Sequence, residues 1–306
     1  MRVFSYSILI SCTILSSISF ANENPTHFRH PIKEVSGDQF PRSIDEFHTK
    51  FGDGHSVEEP IIFKGTAKNW EIMKCISDDK LDRNYGNSLV SIFSNWNEDE
   101  ESIGSQSVVM PLSKYIEISR EAKQNSHYLI HRCIRGDNAT VNSFQCKLSD
   151  EKKEDEKSRK KLTIELSHIC SDLEKKSEFP MESASWDSKT QKPFILWFFG
   201  GYSKTMFHNH MANFLTQLRG KKKAYIINPN EAHFLNCPVT KERTGCLSTV
   251  DPENPDYERH PYFANANVYE VTVEEGDVLF IPTSWFHNVQ AIDVPSLSLV
   301  YFYPKI

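Results

Sequence analysis

Apolar residues in the last third of the chain come in short runs broken at close intervals. From Pro193 onward the runs are 194-FILWFF-199, 213-NFLTQL-218, 223-KAYIINP-229, 268-VYEVTV-273, 277-DVLFIP-282, 285-WFHNV-289 and 297-LSLVYFY-303. They are rich in aromatic and β-branched residues and punctuated by Gly, Pro and Asn, which predicts an antiparallel sandwich or barrel. Upstream, short helices and strands alternate. Ser43-Ile44-Asp45-Glu46 is a capping box opening a helix to about Phe51, and 60-PIIFKG-65 is a strand ending at a glycine. Residues 77–85 are helical with Gly86 as the stop, and Leu89–Phe93 is a strand. Val108–Met110, a helix from about Ser113 to Lys123 and the strand 127-HYLIHRC-133 follow, and Leu162, Leu166, Ile169 and Leu173 recur at helical spacing. The expected fold class is mainly β with flanking helices.

Two stretches fall outside this rhythm. Residues 1–21 carry one charge, Arg2, then an apolar run ending in Ser19-Phe20-Ala21, a small-x-small pattern. That is a secretory signal peptide, its core shorter than the roughly 20 apolar residues that span a bilayer. No later segment is long and apolar enough to span, so no membrane span is expected after cleavage. The second stretch, 150-DEKKEDEKSRKK-161, has charges of both signs and no apolar residue, and reads as a solvated insertion at about 147–162. There is neither an internal repeat nor a Gly/Ser linker, so residues 22–306 are expected to form a single domain.

Composition narrows the partners. At 39% hydrophobic and 12% aromatic the chain can fill a core, which excludes global disorder. Without Arg2 the balance is 34 basic against 41 acidic residues, the wrong sign for a nucleic-acid partner. Beyond Cys12 lie Cys75, Cys133, Cys146, Cys170, Cys237 and Cys246, with no CxxC among them. In an oxidising compartment the locally spaced pairs Cys133 with Cys146 and Cys237 with Cys246 are the expected disulfides. Asn138-Ala139-Thr140 is a glycosylation sequon between the first two.

The chemistry concentrates in 205-TMFHNHMANF-214. In an extended segment His208 and His210 share one face and Asn209 the other, so both imidazoles can reach one ion. His287 stands in 276-GDVLFIPTSWFHNV-289, where a Gly-Asp turn starts a strand. Three neutral imidazoles from separate segments can hold a divalent metal and leave positions open. Spacing alone does not separate this from histidines that merely pack or lie on the surface.

From about Phe40 onward the chain resembles the JmjC and cupin-like family of Fe(II) and 2-oxoglutarate dependent oxygenases. The run 249-TVDPENPDYERHPYF-263 is similar to protein-asparaginyl hydroxylases of that family, and 276-GDVLFIPTSWFHNV-289 to its tRNA-modifying branch. Weaker matches are 40-FPRSIDEF-47, 60-PIIFKGTAKNW-70 and Tyr85-Gly86. The resemblance implies a double-stranded β-helix, the cupin/JmjC jelly roll. It implies Fe(II) or another divalent metal at His208, His210 and His287, and 2-oxoglutarate held by Thr205 and Lys222, with Tyr128 as a further candidate. Trp285 and Phe286 would keep the site dry. The family motif is His-x-Asp, whereas this chain has His-x-His one residue closer to Asn213 than usual, and Tyr301 stands where some hydroxylases have asparagine. Both the His-x-His and the leader resemble a lumenal branch of the family. The expected function is a metal-binding protein of the endoplasmic reticulum lumen, or a secreted one, that hydroxylates a protein side chain. The alternatives are a non-catalytic lumenal interaction protein and a three-histidine metal enzyme without 2-oxoglutarate. A protein substrate or lumenal partner is expected. Three residues follow Tyr303, leaving no room for the C-terminal helices through which relatives dimerise, so a monomer is expected.

Overall fold

The alternation along the late strands becomes a two-sided sheet with a different core on each side. The computed structural model describes residues 28–93, 107–121, 128–134, 194–200, 204–237 and 246–303. In chain order these form β1 (Phe28–Pro31), β2 (Lys33–Ser36), α1 (Ile44–Phe51), β3 (Ile61–Lys64), α2 (Asp78–Tyr85), β4 (Leu89–Phe93), β5 (Ser107–Pro111) and α3 (Leu112–Glu121). Then come β6 (Tyr128–Ile134), β7 (Phe194–Gly200), β8 (Ala212–Arg219), β9 (Lys222–Ile227), β10 (Asn267–Val273), β11 (Val278–Ile281), β12 (Phe286–Ala291) and β13 (Ser296–Tyr303). Among the described residues a nine-stranded sheet runs β2-β3-β11-β8-β13-β7-β6-β4-β5 and a four-stranded sheet runs β1-β10-β9-β12. Predominantly antiparallel strands in two sheets, with helices on one flank, make the expected jelly roll.

Each strand of the large sheet sorts its side chains by the period of two. On β13, Leu297, Leu299, Tyr301 and Tyr303 face the helices, while Val300 and Phe302 face the small sheet. On β8, Phe214 and Leu218 face the helices and Leu215 the small sheet. The helix-side core closes around Phe47 of α1, fully buried, with rings 5.2 Å from Phe214 and 4.8 Å from Phe280. α1 begins as the sequence predicts, its Glu46 N–H donating to the Ser43 hydroxyl at 3.1 Å, though the Glu46 carboxylate reaches back to the Arg42 N–H rather than to Ser43. Asp78 at the start of α2 accepts from Arg120 of α3 and Arg219 of β8, tying both helices to the sheet.

Between the sheets lies the inner core of Ile62, Leu215, Ala224, Ile226, Val271, Leu279, Ile281, Trp285, Val300 and Phe302. Behind the small sheet a third cluster, including Phe207, Tyr225, Ile227, Phe263, Val268 and Phe286, is covered by the connection from β9 to β10. There the expected disulfide Cys237–Cys246 forms, with a Cα–Cα distance of 5.7 Å. Cys146, the sequon, the charged insertion, the helix expected around Leu162–Leu173 and residues 1–21 lie outside the described residues.

The corner between β8 and β9 takes the chain from one sheet to the other in two residues. Gly220 sits there at φ +65°, and a Cβ would come within 2.8 Å of the Asp293 carbonyl oxygen and 2.9 Å of that of Pro295. A side chain is excluded on both counts. The corner delivers Lys222 to the first inward position of β9.

Candidate metal centre

The segment 204–210 runs along the free edge of β12 before the chain enters β8. Thr205 and Val289 exchange backbone bonds with side-chain support: the Thr205 N–H donates to the Val289 carbonyl at 3.0 Å, and the Val289 N–H donates to the Thr205 hydroxyl at 2.9 Å. His208 and His287 are direct antiparallel partners, His208 N–H to His287 carbonyl at 3.2 Å and the reverse at 2.9 Å. Directly opposed residues project the same way, so the two rings stand side by side with centroids 4.3 Å apart. His210, two residues on, completes the group at 4.5 Å from His287 and 5.2 Å from His208. Asn209 points away, its amide toward the Ser284 carbonyl at 3.4 Å and its oxygen toward the Cys246 N–H at 3.4 Å.

The tautomers follow from the partners. Each Nδ1 faces a backbone carbonyl: Met206 at 2.8 Å for His208, Met211 at 2.8 Å for His210 and Trp285 at 3.0 Å for His287. A carbonyl only accepts, so every Nδ1 carries the hydrogen and every Nε2 is left with a lone pair. These ligand nitrogens lie within 4.8 Å of one another, and Nε2 of His287 is 3.1 Å from Nε2 of His210. Two lone pairs at that distance repel unless a cation or an extra proton sits between them. Metal–nitrogen bonds of about 2.0–2.1 Å subtend about 3.0–3.4 Å between neighbouring ligands, so this edge already has metal-site dimensions.

Protonation is disfavoured. Burial, then the neighbouring His210, lowers the His208 pKa to about 4, against a smaller opposing effect of its bond to Met206. Burial, then His208 and His210, holds His287 well below the ordinary imidazole range, and burial lowers His210. The donor set therefore fits a divalent cation: neutral imines, fixed by carbonyls, aimed at one point.

The other expected residues fall into two groups. Lys222, 5% exposed, points between the sheets, while Lys221 and Lys223 turn out to Glu274 at 2.9 Å and Glu270 at 2.9 Å. Strand alternation thus separates one functional candidate from two surface lysines. Burial lowers the Lys222 pKa to about 7. Its ammonium donates to the Ser298 hydroxyl, which donates to the Gln217 amide oxygen at 2.6 Å. Thr205 sits beside Val289, which pairs with Ala224, two residues from Lys222 on the same face. The backbone of Tyr128 is in register with Gly200, itself opposite Ser296, so β6 brings it to that rung.

Two expectations are corrected. Phe286 belongs to the cluster behind the small sheet, because it is one residue from His287 and alternation turns it away; Trp285, two residues from His287, lies inside with Tyr269 against it at 5.5 Å. Phe302, whose ring is 4.9 Å from His210, screens the inner side instead. Tyr301 is 2% exposed in the helix-side core, on the opposite face of β13 from the histidines. Sequence reasoning also missed Gln217 and Ser298 as interior residues. Asn213 joins them: it pairs with the inward Ile281 and Phe302, and its buried amide nitrogen has no hydrogen-bond partner.

Comparison with known proteins settles the family. A model of the cupin-like domain matches residues 49–306. The chain belongs to that cupin-like, JmjC-type family. It is 43% identical over 79 residues to tRNA wybutosine-synthesizing protein 5 of Gallus gallus, covering 26% of this chain and 23% of that protein. It is 30% identical over 101 residues to HSPB1-associated protein 1 of Homo sapiens, covering 33% and 21% respectively. The matched regions span about a quarter of those proteins or less. Cupin-like membership and the three-histidine group together point to a divalent metal site.

Proposed function

We propose that this cupin-like protein is a secretory-pathway oxygenase that binds Fe(II) at His208, His210 and His287, takes 2-oxoglutarate as cosubstrate and hydroxylates a protein side chain. The observation that carries it is the convergence of three Nε2 lone pairs whose Nδ1 atoms are all committed to carbonyls. When bound, the metal and cosubstrate supply dioxygen activation, with 2-oxoglutarate converted to succinate and carbon dioxide.

The chain's own residues bind, orient and exclude water. The carbonyls of Met206, Met211 and Trp285 hold the rings in the ligating tautomer. On β9, Lys222 lies four residues from Ile226, the partner of His287, so the two rungs are about 13 Å apart and the lysine side chain spans part of that. The remaining gap suits a short dicarboxylate, one end at the histidines and the other on the Lys222 ammonium, a charge-assisted bond. The unpartnered amide of Asn213 offers a donor to the same ligand. Thr205, whose oxygen already accepts from Val289, keeps its hydroxyl hydrogen to donate, and Tyr128 is brought to the same end. Trp285 and Phe302 line the interior beside the rings and keep water from the centre. The Cys237–Cys246 disulfide supports an oxidising compartment.

Anaerobic loading with Fe(II), followed by 2-oxoglutarate and air, tests this reading by succinate release. Succinate above the metal-free control, lost in His287→Ala, is expected. A chain that holds metal but releases no succinate with any lumenal peptide would support a second reading, a non-catalytic interaction protein. That reading is favoured by His210 itself, since a neutral third ligand leaves more positive charge at the metal than a carboxylate would.

A further inference from the structure

The segment that carries His208 and His210 is held from two sides. β12 lies on one flank, through Thr205 with Val289 and His208 with His287. On the other flank runs the strip 246–250, where the Phe207 N–H donates to the Ser248 carbonyl at 3.2 Å and the Ser248 N–H to the Phe207 carbonyl at 2.9 Å. Beside that pair the Cys246 N–H donates to the side-chain oxygen of Asn209 at 3.4 Å, and the nitrogen of the same side chain reaches the Ser284 carbonyl at 3.4 Å. Asn209 stands between two ligands, so these bonds fix the turn that aims both rings at one point. The flanking strip has anchors of its own. Ser248 and Val250 are buried, Asp251 pairs with Lys204 at 2.9 Å, and Cys246 is bonded to Cys237. Cys237, 5% exposed, follows a short helix, Pro229–Leu235, whose Ala232 and Leu235 sit in the cluster behind the small sheet.

We propose that the Cys237–Cys246 bond is a redox clamp on the metal centre: oxidised, it holds the strip 246–250 against the ligand-bearing segment, and reduced by a dithiol it releases that strip and lowers metal affinity. The clamp rests on the reading of the three histidines as a divalent metal site and not on oxygenase chemistry. Cys246 is partly exposed and Cys237 buried, so a thiolate of the dithiol attacks the Cys246 sulfur. The S–S bond breaks, its electron pair leaves on Cys237, and Cys237 takes a proton. The second thiol of the reagent then displaces Cys246, which also ends as a thiol while the reagent closes into its own disulfide. Two electrons have moved to the protein. With the bond gone, nine peptide steps join residues whose Cα atoms were held 5.7 Å apart, and that length of chain reaches up to about 30 Å. The Cys246 end of the strip is then free to leave Asn209 and to fray from Phe207.

Titration of the full chain with Co(II), followed by its visible spectrum and by calorimetry, tests the clamp. The dithiol chelates metal and is removed by gel filtration under argon first. Affinity falls about tenfold in the reduced chain, as when other groups that orient metal ligands are lost. It falls equally in the Cys237→Ser/Cys246→Ser double variant, which offers the metal no thiolate. Asn209→Ala lowers affinity in the oxidised chain and shrinks the further effect of reduction, because one of the two links is already cut. Reduced wild type, made from folded protein, reads the effect should the double-serine chain not fold. Equal affinity in oxidised and reduced chains overturns the clamp and leaves the metal centre standing. Affinity lost only in step with far-UV circular dichroism also overturns it, since the bond would then hold the fold rather than the centre. An oxidised chain that binds no Co(II) removes the metal centre and the clamp together. A clamp upheld in a chain that releases no succinate leaves the oxygenase reading to fail alone.

Discussion

The two ends of the interior between the sheets solve opposite electrostatic problems with the same apolar wall. At one end three imidazoles present acceptors to one another, with their hydrogens turned out to carbonyls. At the other, Lys222, Ser298 and Gln217 are linked donor to acceptor. A set of converging acceptors is at rest only with a cation, and a buried donor cluster only with an anion. The interior therefore has an acceptor end at the histidines and a donor end at Lys222. Val300 and Phe302 of β13 lie on the same inner face as Ser298.

Removing a member of the acceptor end gives the largest effect expected. His287→Ala deletes the buried imidazole, paired with His208 and 3.1 Å from His210 between their ring nitrogens, and lowers metal affinity by at least about a hundredfold, read by elemental analysis after dialysis. Acid acts on the same end. A histidine whose folded pKa is depressed binds fewer protons in the folded than in the unfolded chain between those two values. Stability at this end is therefore complete above about 6.5 and falls as pH drops toward the His208 value of about 4, with metal leaving over the same window. Thermal unfolding of the metal-free chain at pH 7 and pH 5 checks the sign, and a higher melting temperature at pH 5 contradicts it.

Next come two phenylalanines that separate the inner core from the helix-side core. Phe302→Ala and Phe214→Ala each remove a buried ring, 4% and 0% exposed, and each costs about 3–5 kcal/mol in denaturant unfolding. Only Phe302 touches the centre, through His210 at 4.9 Å, so only Phe302→Ala also weakens metal binding. Equal loss of affinity in both variants would mean that the centre responds to global stability rather than to its own wall.

Much of this division was legible in the primary structure, for reasons that also mark where it stopped. The seven late strands and α1, α2 and α3 are announced by periodicity and caps, and His208 with His210 by spacing in an extended segment. β1 and β2 were missed because 28-FRHP-31 and 33-KEVS-36 are short and mostly polar, and β2 is largely exposed at a sheet edge. Phe286 was misplaced although the alternation that aims His287 inward turns it outward. Gln217 and Asn213 stand at inward positions of the apolar strand β8, a signal that was available. Their meaning was not, because Ser298 lies 81 residues from Gln217 and the pairing exists only once the sheet closes.

The smallest expected effect tests the donor end by deleting its charge. A lysine whose folded pKa is depressed from about 10.5 to about 7 holds fewer protons when folded than when unfolded throughout that interval. Folding stability therefore rises with pH from 7 to 10.5, and at neutral pH the buried ammonium is a net cost in the ligand-free chain. Lys222→Met, similar in volume and apolar, removes that cost and stabilises the ligand-free protein by on the order of 1 kcal/mol at pH 7, with the advantage shrinking as pH rises. Metal affinity at the histidines stays at the wild-type value, while 2-oxoglutarate binding is lost. Unfolding curves at pH 7 and pH 9, paired with metal and cosubstrate titrations, separate these effects. A Lys222→Met chain less stable than wild type at pH 7 would show that the Ser298 acceptor outweighs burial, and that this end is balanced without a bound anion.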